Sequence, residues 1–149
     1  MPDKTALFIC VENVGRSLMA EAAFNANPPE GWRAISAGTR PAPAPNPRTA
    51  SMLKEVGLEI PDHAPRLLTP EMMEEARVRV TMGCMDDASC PAKLKTLEVE
   101  DWALEDPTKL DDAGFRRVRD EVIRRVMALR IELRQSDRRI AGRTSDAAQ

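Results

Sequence analysis

With 149 residues, 42% of them apolar and 31% charged, the chain has the make-up of one ordinary globular domain. A net charge of -2 gives no general attraction to nucleic acid, and the absence of a spanning apolar run or a signal-like N-terminus predicts a cytoplasmic protein with no membrane partner. Three cysteines make no secreted disulfide framework, and the single His63 excludes a multi-histidine metal centre, so no metal and no cofactor are expected.

In chain order, the apolar run Thr-Ala-Leu-Phe-Ile at 5–9 reads as a buried strand of a parallel sheet. Cys10 to Ser17 then forms a tight loop, and Leu18 to Phe24 a helix, with Leu18 and Ala22, and Met19 and Ala23, at i, i+4 spacing. Residues 32–37 read as a second strand that ends at Gly38. Prolines at 41, 43, 45 and 47 mark an extended loop, and Asn46 followed by Pro47 caps a helix that carries Met52, Leu53 and Val56 and stops at Gly57. Thr69-Pro70-Glu71 starts a short helix. Residues 78–82 read as a third strand, in which Arg79 is accounted for only by a strand end or a partner carboxylate. Leu97 to Trp102 alternates as a half-buried edge strand would. From Asp112 a long helix carries Phe115, Val118, Val122, Val126, Leu129 and Leu133 on one stripe, widened by Ile123 and Met127, with arginines on a solvated opposite face. Residues 1–137 make one domain, and 138–149, small and polar, read as a disordered tail. Strands alternating with helices mean an α/β fold with helices on both faces of a parallel sheet.

The chemistry concentrates in Cys10-Val11-Glu12-Asn13-Val14-Gly15-Arg16-Ser17. A strand, a tight loop and a helix N-terminus point peptide N–H groups and the positive end of the helix dipole at one spot, an anion site formed by residues 11–17. Cys10 on its rim is pushed towards thiolate, the Arg16 fork suits a tetrahedral oxyanion, Ser17 can donate to the sulfur, and Asn13 can bond the loop's own backbone. The plain alternative makes Cys10 a small buried hydrophobe and Arg16 a surface charge. Cys84 and Cys90 bracket a polar loop after the third strand. They read as members of a thiol–disulfide relay with Cys10, as two inert cysteines, or, with too few ligands, as a zinc pair.

Cys10-x2-Asn13-x2-Arg16-Ser17-x2-Ala20-Glu21 resembles the phosphate loop of the low-molecular-weight tyrosine phosphatase superfamily, and the rest of the chain resembles its arsenate reductase branch. The matching text includes Ser36-Ala37-Gly38-Thr39, Asn46-Pro47, Glu55-Val56-Gly57, Asp62-His63, Val80-Thr81-Met82-Gly83-Cys84, Cys90-Pro91, Asp101-Trp102, Asp106-Pro107 and Val118-Arg119-Asp120-Glu121. The resemblance implies a three-layer sandwich around four parallel strands in the order 2-1-3-4, with the anion loop at the carboxyl end of the first strand. It implies arsenate reduction with Cys10, Arg16, Cys84, Cys90 and Asp106 as catalytic residues, arsenate or phosphate as the bound oxyanion, and thioredoxin or another thiol reductant as partner. Asp106 would protonate the leaving oxygen, although Asp-Pro is also a common turn and Glu105 stands beside it. Cys84 would attack the Cys10 adduct and Cys90 would then attack Cys84. The last disulfide needs Cα atoms within about 7 Å, which a coil allows and a six-residue helical offset of about 9 Å does not. The alternatives are a phosphotyrosine phosphatase that hydrolyses esters with Cys10, Arg16 and Asp106, and an anion sensor without turnover.

The chain also departs from those relatives. Glu12 replaces a common Gly and should point away from the anion. The middle cysteine of thioredoxin-coupled relatives lies one residue nearer Val80-Thr81. Arg66 stands where some relatives place an Asp that helps bind potassium, so no potassium site is expected. Tyr is absent, and with it the aromatic rim by which tyrosine phosphatases grip their substrate.

Overall fold

The run Lys4–Cys10 forms β1, and its alternate side chains are buried on both faces. Ala6, Phe8 and Cys10 join one apolar cluster, and Leu7 and Ile9 a second. The computed structural model of the chain describes residues 3–83 and 97–147, with side chains described through Arg139. Within it β1 pairs in parallel with β2 (Trp32–Gly38), Cys10 opposite Gly38, and on its other edge with β3 (Val78–Thr81). β3 pairs in parallel with β4 (Glu100–Asp101), so the sheet has the order β2-β1-β3-β4, as the resemblance implies.

Helices α1 (Arg16–Ala26), α2 (Pro47–Lys54) and the long α4 (Asp112–Ala147) supply the first cluster, through Met19, Phe24, Met52, Leu53, Phe115, Val118, Val122 and Val126. Helix α3 (Pro70–Glu75) supplies Met73 to the second. Phe8 is fully buried, 6.2 Å from the Phe24 ring centroid and 5.6 Å from that of Trp102, so it locks sheet, α1 and the β4 segment together. Truncating it to Ala would cost about 3–5 kcal/mol. The Asn46 and Thr69 side chains accept from Arg48 N and Met72 N, and a proline follows each, so both N-caps fall where the sequence predicts.

Four expectations change. β4 is only Glu100–Asp101, both exposed: Leu97 and Val99 pack against the second cluster as the alternation predicts, but the ladder with β3 covers only the pairs Val80–Glu100 and Thr81–Asp101. Helix α4 runs through residues 138–147, which the composition assigns to a disordered tail. Arg138, Arg139, Ala141 and Arg143 there are good helix formers, while Gly142, Thr144, Ser145 and Asp146 are weaker ones. Just before that stretch Asp137 accepts from Lys4 Nζ at 3.1 Å and Trp32 Nε1 at 3.0 Å, which pins the helix to the start of β1 and β2. Met127 is exposed and does not widen the buried stripe. Arg79, unexplained by sequence, donates to Met73 O at 2.6 Å and Ala76 O at 2.8 Å, closing the carbonyl end of α3.

Candidate active site

The loop after β1 is shaped by what its carbonyls do. Cys10 O, Val11 O and Glu12 O accept from Thr39 N, Arg40 N and Ala42 N at 3.1, 2.8 and 3.1 Å, and Val14 O accepts from the buried Thr49 hydroxyl at 2.7 Å. In a trans peptide the N–H points opposite the C=O. The carbonyls are turned outwards to the proline-rich segment and α2, so the N–H groups of Val11, Glu12 and Gly15 are turned inwards. Gly15 is the N-cap of α1, and no described side chain caps that first turn, so its own orphan N–H groups join the same concavity. Gly38 permits this approach: a Cβ there would lie 2.4 Å from Val11 O.

The concavity opens into a cavity of about 430 Å³, lined by Cys10, Val11, Glu12, Val14, Gly15 and Arg16 together with Arg40, Gly83, Leu104, Glu105, Asp106, Thr108 and Lys109. Asn13 and Ser17, expected as lining residues, lie behind it, both wholly buried. Asn13 N donates to Cys10 Sγ at 3.1 Å, and Ser17 Oγ lies 2.9 Å from the same sulfur. Asn13 Nδ2 donates to Ser17 Oγ at 2.7 Å, which leaves the Ser17 hydrogen for the sulfur. The Asn13 side chain therefore does not bond the loop's own backbone; it bonds Ser17, Ser36 Oγ and Arg66 N. Its φ of +57° is the left-handed conformation that Asn tolerates better than other non-glycine residues.

Arg16 is nearly buried, and its Nη1 donates to Met82 O at 3.3 Å and Leu104 O at 2.7 Å. These carbonyls end the segments after β3 and β4, which cross tightly: a Cβ on Gly83 would lie 2.5 Å from Ala103 Cα. One edge of the guanidinium is thus anchored, and its Nε and Nη2 have no other partner among the described residues. Asp106 caps the 3₁₀ turn Pro107–Lys109, its Oδ1 accepting from Thr108 N at 3.0 Å and Thr108 Oγ1 at 2.7 Å. Glu12 is exposed and is one of the residues that line the cavity. Gly83 lines the cavity immediately before Cys84; Cys84 and Cys90 lie outside the described residues.

A second, buried group was not found by sequence. Glu21 on α1, 5% exposed, accepts from Ser36 Oγ at 2.9 Å and meets His63 Nε2 at 2.9 Å and Arg66 Nη2 at 3.4 Å. Glu21 and His63 stand within the quoted motifs, but their meeting across 42 residues has no local signal. Among the described residues no cluster of three or more His, Cys, Asp or Glu could hold a metal, and no helix is long and apolar enough to cross a membrane.

The family model for low molecular weight phosphotyrosine protein phosphatase matches residues 5–139. The chain is 35% identical over 122 residues to Arsenate reductase 1 of Staphylococcus epidermidis, covering 82% of this chain and 92% of that protein. It is 33% identical over 126 residues to Arsenate reductase 1 of Staphylococcus haemolyticus, covering 85% and 94%. Among solved structures it is similar to a thioredoxin-dependent arsenate reductase of Corynebacterium glutamicum, with a TM-score of 0.74 and 31% identity, covering 91% of this chain but only 64% of that one. A structure described as an arsenate reductase in the phosphate binding state matches with a TM-score of 0.74 and 28% identity, covering 87% and 98%. The chain belongs to the low molecular weight phosphotyrosine protein phosphatase family.

Proposed function

We propose that this member of the low molecular weight phosphotyrosine protein phosphatase family reduces arsenate to arsenite with Cys10 as first nucleophile. The observation that carries the reading is the loop itself. Its carbonyls are tied back to Thr39, Arg40, Ala42 and Thr49, its N–H groups turn inwards, and Cys10 Sγ receives Asn13 N at 3.1 Å beside Ser17 Oγ at 2.9 Å. Donors converging on a sulfur favour its thiolate, and donors converging on the space beside it favour an oxyanion.

The Cys10 thiolate attacks arsenic, a sulfur–arsenic bond forms, and an arsenic–oxygen bond breaks with Asp106 supplying the proton to the departing oxygen. Arg16, held by Met82 O and Leu104 O, presents its Nε and Nη2 edge to two oxygens of the adduct. The Cys84 thiolate then attacks the Cys10 sulfur; the sulfur–sulfur bond forms, the sulfur–arsenic bond breaks, and its electron pair leaves on arsenic(III) as arsenite. Cys90 attacks the Cys84 sulfur and releases Cys10 as thiolate, and a dithiol such as thioredoxin reduces the resulting Cys84–Cys90 disulfide. The place of Gly83 on the cavity wall, one residue before Cys84, supports the second step. The arsenate reductases among the relatives, one of them thioredoxin-dependent, support the substrate and the partner.

Ester hydrolysis would use Cys10, Arg16 and Asp106 alone. Arsenate turnover with thioredoxin, thioredoxin reductase and NADPH, run beside an aryl-phosphate assay, separates the two. Sustained NADPH oxidation that depends on arsenate and thioredoxin is expected; aryl-phosphate hydrolysis without it would make the protein a phosphatase.

A further inference from the structure

We propose that Arg66 is a positioning residue for the Cys10 thiolate, acting through the Asn13 amide from behind the anion loop; this rests on Cys10 being the nucleophile. Two hydroxyl bridges meet at that amide. Asn13 Nδ2 donates to Ser17 Oγ at 2.7 Å, whose hydrogen is left for Cys10 Sγ at 2.9 Å. Its second hydrogen goes to Ser36 Oγ at 3.1 Å, whose own hydrogen goes to Glu21 Oε1 at 2.9 Å. The amide therefore links two anions, a thiolate and a buried carboxylate, and both bridges work only while its nitrogen points at the two hydroxyls.

Arg66 sets that direction. Its main-chain N–H, which can only donate, meets Asn13 Oδ1 at 3.1 Å, so the oxygen of the amide is fixed on that side and the nitrogen on the other. Its side chain holds the segment in place: Nε donates to Ser36 O at 3.0 Å and Nη2 to Glu21 Oε1 at 3.4 Å, while Arg66 O accepts from Gly38 N at 2.9 Å. The guanidinium is also the fixed counter-charge of Glu21. His63 stands beside this pair: its Nε2 lies 2.9 Å from Glu21 Oε2 and 3.1 Å from Arg66 Nη2, and its Nδ1 lies 2.8 Å from Ala64 O. A carboxylate as buried as Glu21 must be paired, and an unpaired negative charge two hydrogen bonds from Asn13 would oppose a second anion at Cys10. The Arg66 side chain is 37% exposed, so screening weakens its charge and much of its effect comes from the fork on Ser36 and Glu21. The charged groups on the cavity side of Cys10, which among the described residues are Glu12, Arg16, Arg40, Glu105, Asp106 and Lys109, are untouched by a change at Arg66.

The test is the pH dependence of iodoacetamide alkylation at Cys10, read by peptide mapping in the full chain, for wild type, Arg66→Gln and Arg66→Lys. It needs no arsenate turnover. Arg66→Gln should move the Cys10 midpoint upwards and slow alkylation at neutral pH by roughly fivefold, with Arg66→Lys between it and wild type, since a charge without the fork restores only part. A profile in Arg66→Gln that overlies wild type, with only the melting temperature lowered, overturns the proposal and leaves the function intact. Should Arg66→Gln not fold, Arg66→Lys alone decides: an upward shift supports the proposal and an unchanged profile overturns it. A wild-type Cys10 that reacts no faster than Cys84 overturns both this inference and the function on which it rests.

Discussion

Gly38→Ala puts one methyl group where the anion loop and β2 touch. The added Cβ would lie 2.4 Å from Val11 O and 3.1 Å from Asn13 N, whereas ordinary contact begins at 3.4 Å, so the loop must retreat by about one ångström. Neither neighbour is a free side-chain end. Val11 O is held by Arg40 N at 2.8 Å, and Asn13 N is the donor to Cys10 Sγ. Overpacking of this kind costs about 1–3 kcal/mol, which at this chain length lowers the melting temperature by about 2–4 °C per kcal/mol. Displacing the donors by about one ångström should slow the reaction at Cys10 by about a hundredfold. Gly57→Ala is the matched control. Gly57 has φ +77° and nothing within 4 Å of the added Cβ, so it should lose about 1–2 kcal/mol through backbone strain alone. Thermal unfolding and Cys10 alkylation at neutral pH, with and without phosphate, are measured for both variants. Both should melt lower, and only Gly38→Ala should lose reactivity and protection by phosphate. Equal reactivity of the two variants would refute the claim that Gly38 shapes the loop.

Arg16→Ala removes the guanidinium that bridges Met82 O and Leu104 O, and phosphate should then no longer protect Cys10 from alkylation; full protection in the variant would move the anion elsewhere. Glu55 ties α2 to α4. Its carboxyl is lowered from 4.5 to about 2 by hydrogen bonds from Arg116 and then Arg119. A depressed folded-state value contributes stability above the unfolded value that is lost as pH falls. The melting-temperature advantage of wild type over Glu55→Gln should therefore be full above pH 4.5 and vanish towards pH 2, and a flat difference across that window would contradict the assignment. Cys84→Ser and Cys90→Ser should each stop repeated arsenate turnovers while sparing slow aryl-phosphate hydrolysis; sustained turnover in both would mean that an external thiol acts directly on the Cys10 adduct.

Local chemistry carried most of what the sequence revealed. An apolar run flanked by turns fixed β1, Asn46-Pro47 and Thr69-Pro70 fixed two helix starts, and the stripe from Phe115 to Leu129 fixed the buried side of α4. Elements that depend on distant partners were misread or missed. Alternation in 97–102 showed which side chains face the core, but not that the ladder with β3 covers only Glu100–Asp101. The polar, small residues of 138–147 gave no apolar stripe to mark the end of α4, which runs to Ala147. Arg79 looked wrong for a parallel strand because its partners are the carbonyls at the end of α3. At the candidate site, the placement of Cys10 and Arg16 on one cavity was legible because the strand–loop–helix pattern is contiguous. The role of Asn13 was not, because its partners Ser36 and Arg66 come from separate segments, 23 and 53 residues away.

In the proposed reaction Cys10 is the first thiol to bond arsenic, and the two-electron oxidation ends on Cys84 and Cys90. The direct measurement is peptide mapping of the reduced protein after one turnover with arsenate and no reductant. One equivalent of arsenite, a Cys84–Cys90 disulfide as the main species and a reduced Cys10 thiol are expected. A disulfide that joins only Cys10 to Cys90, or arsenite with no disulfide at all, would contradict it.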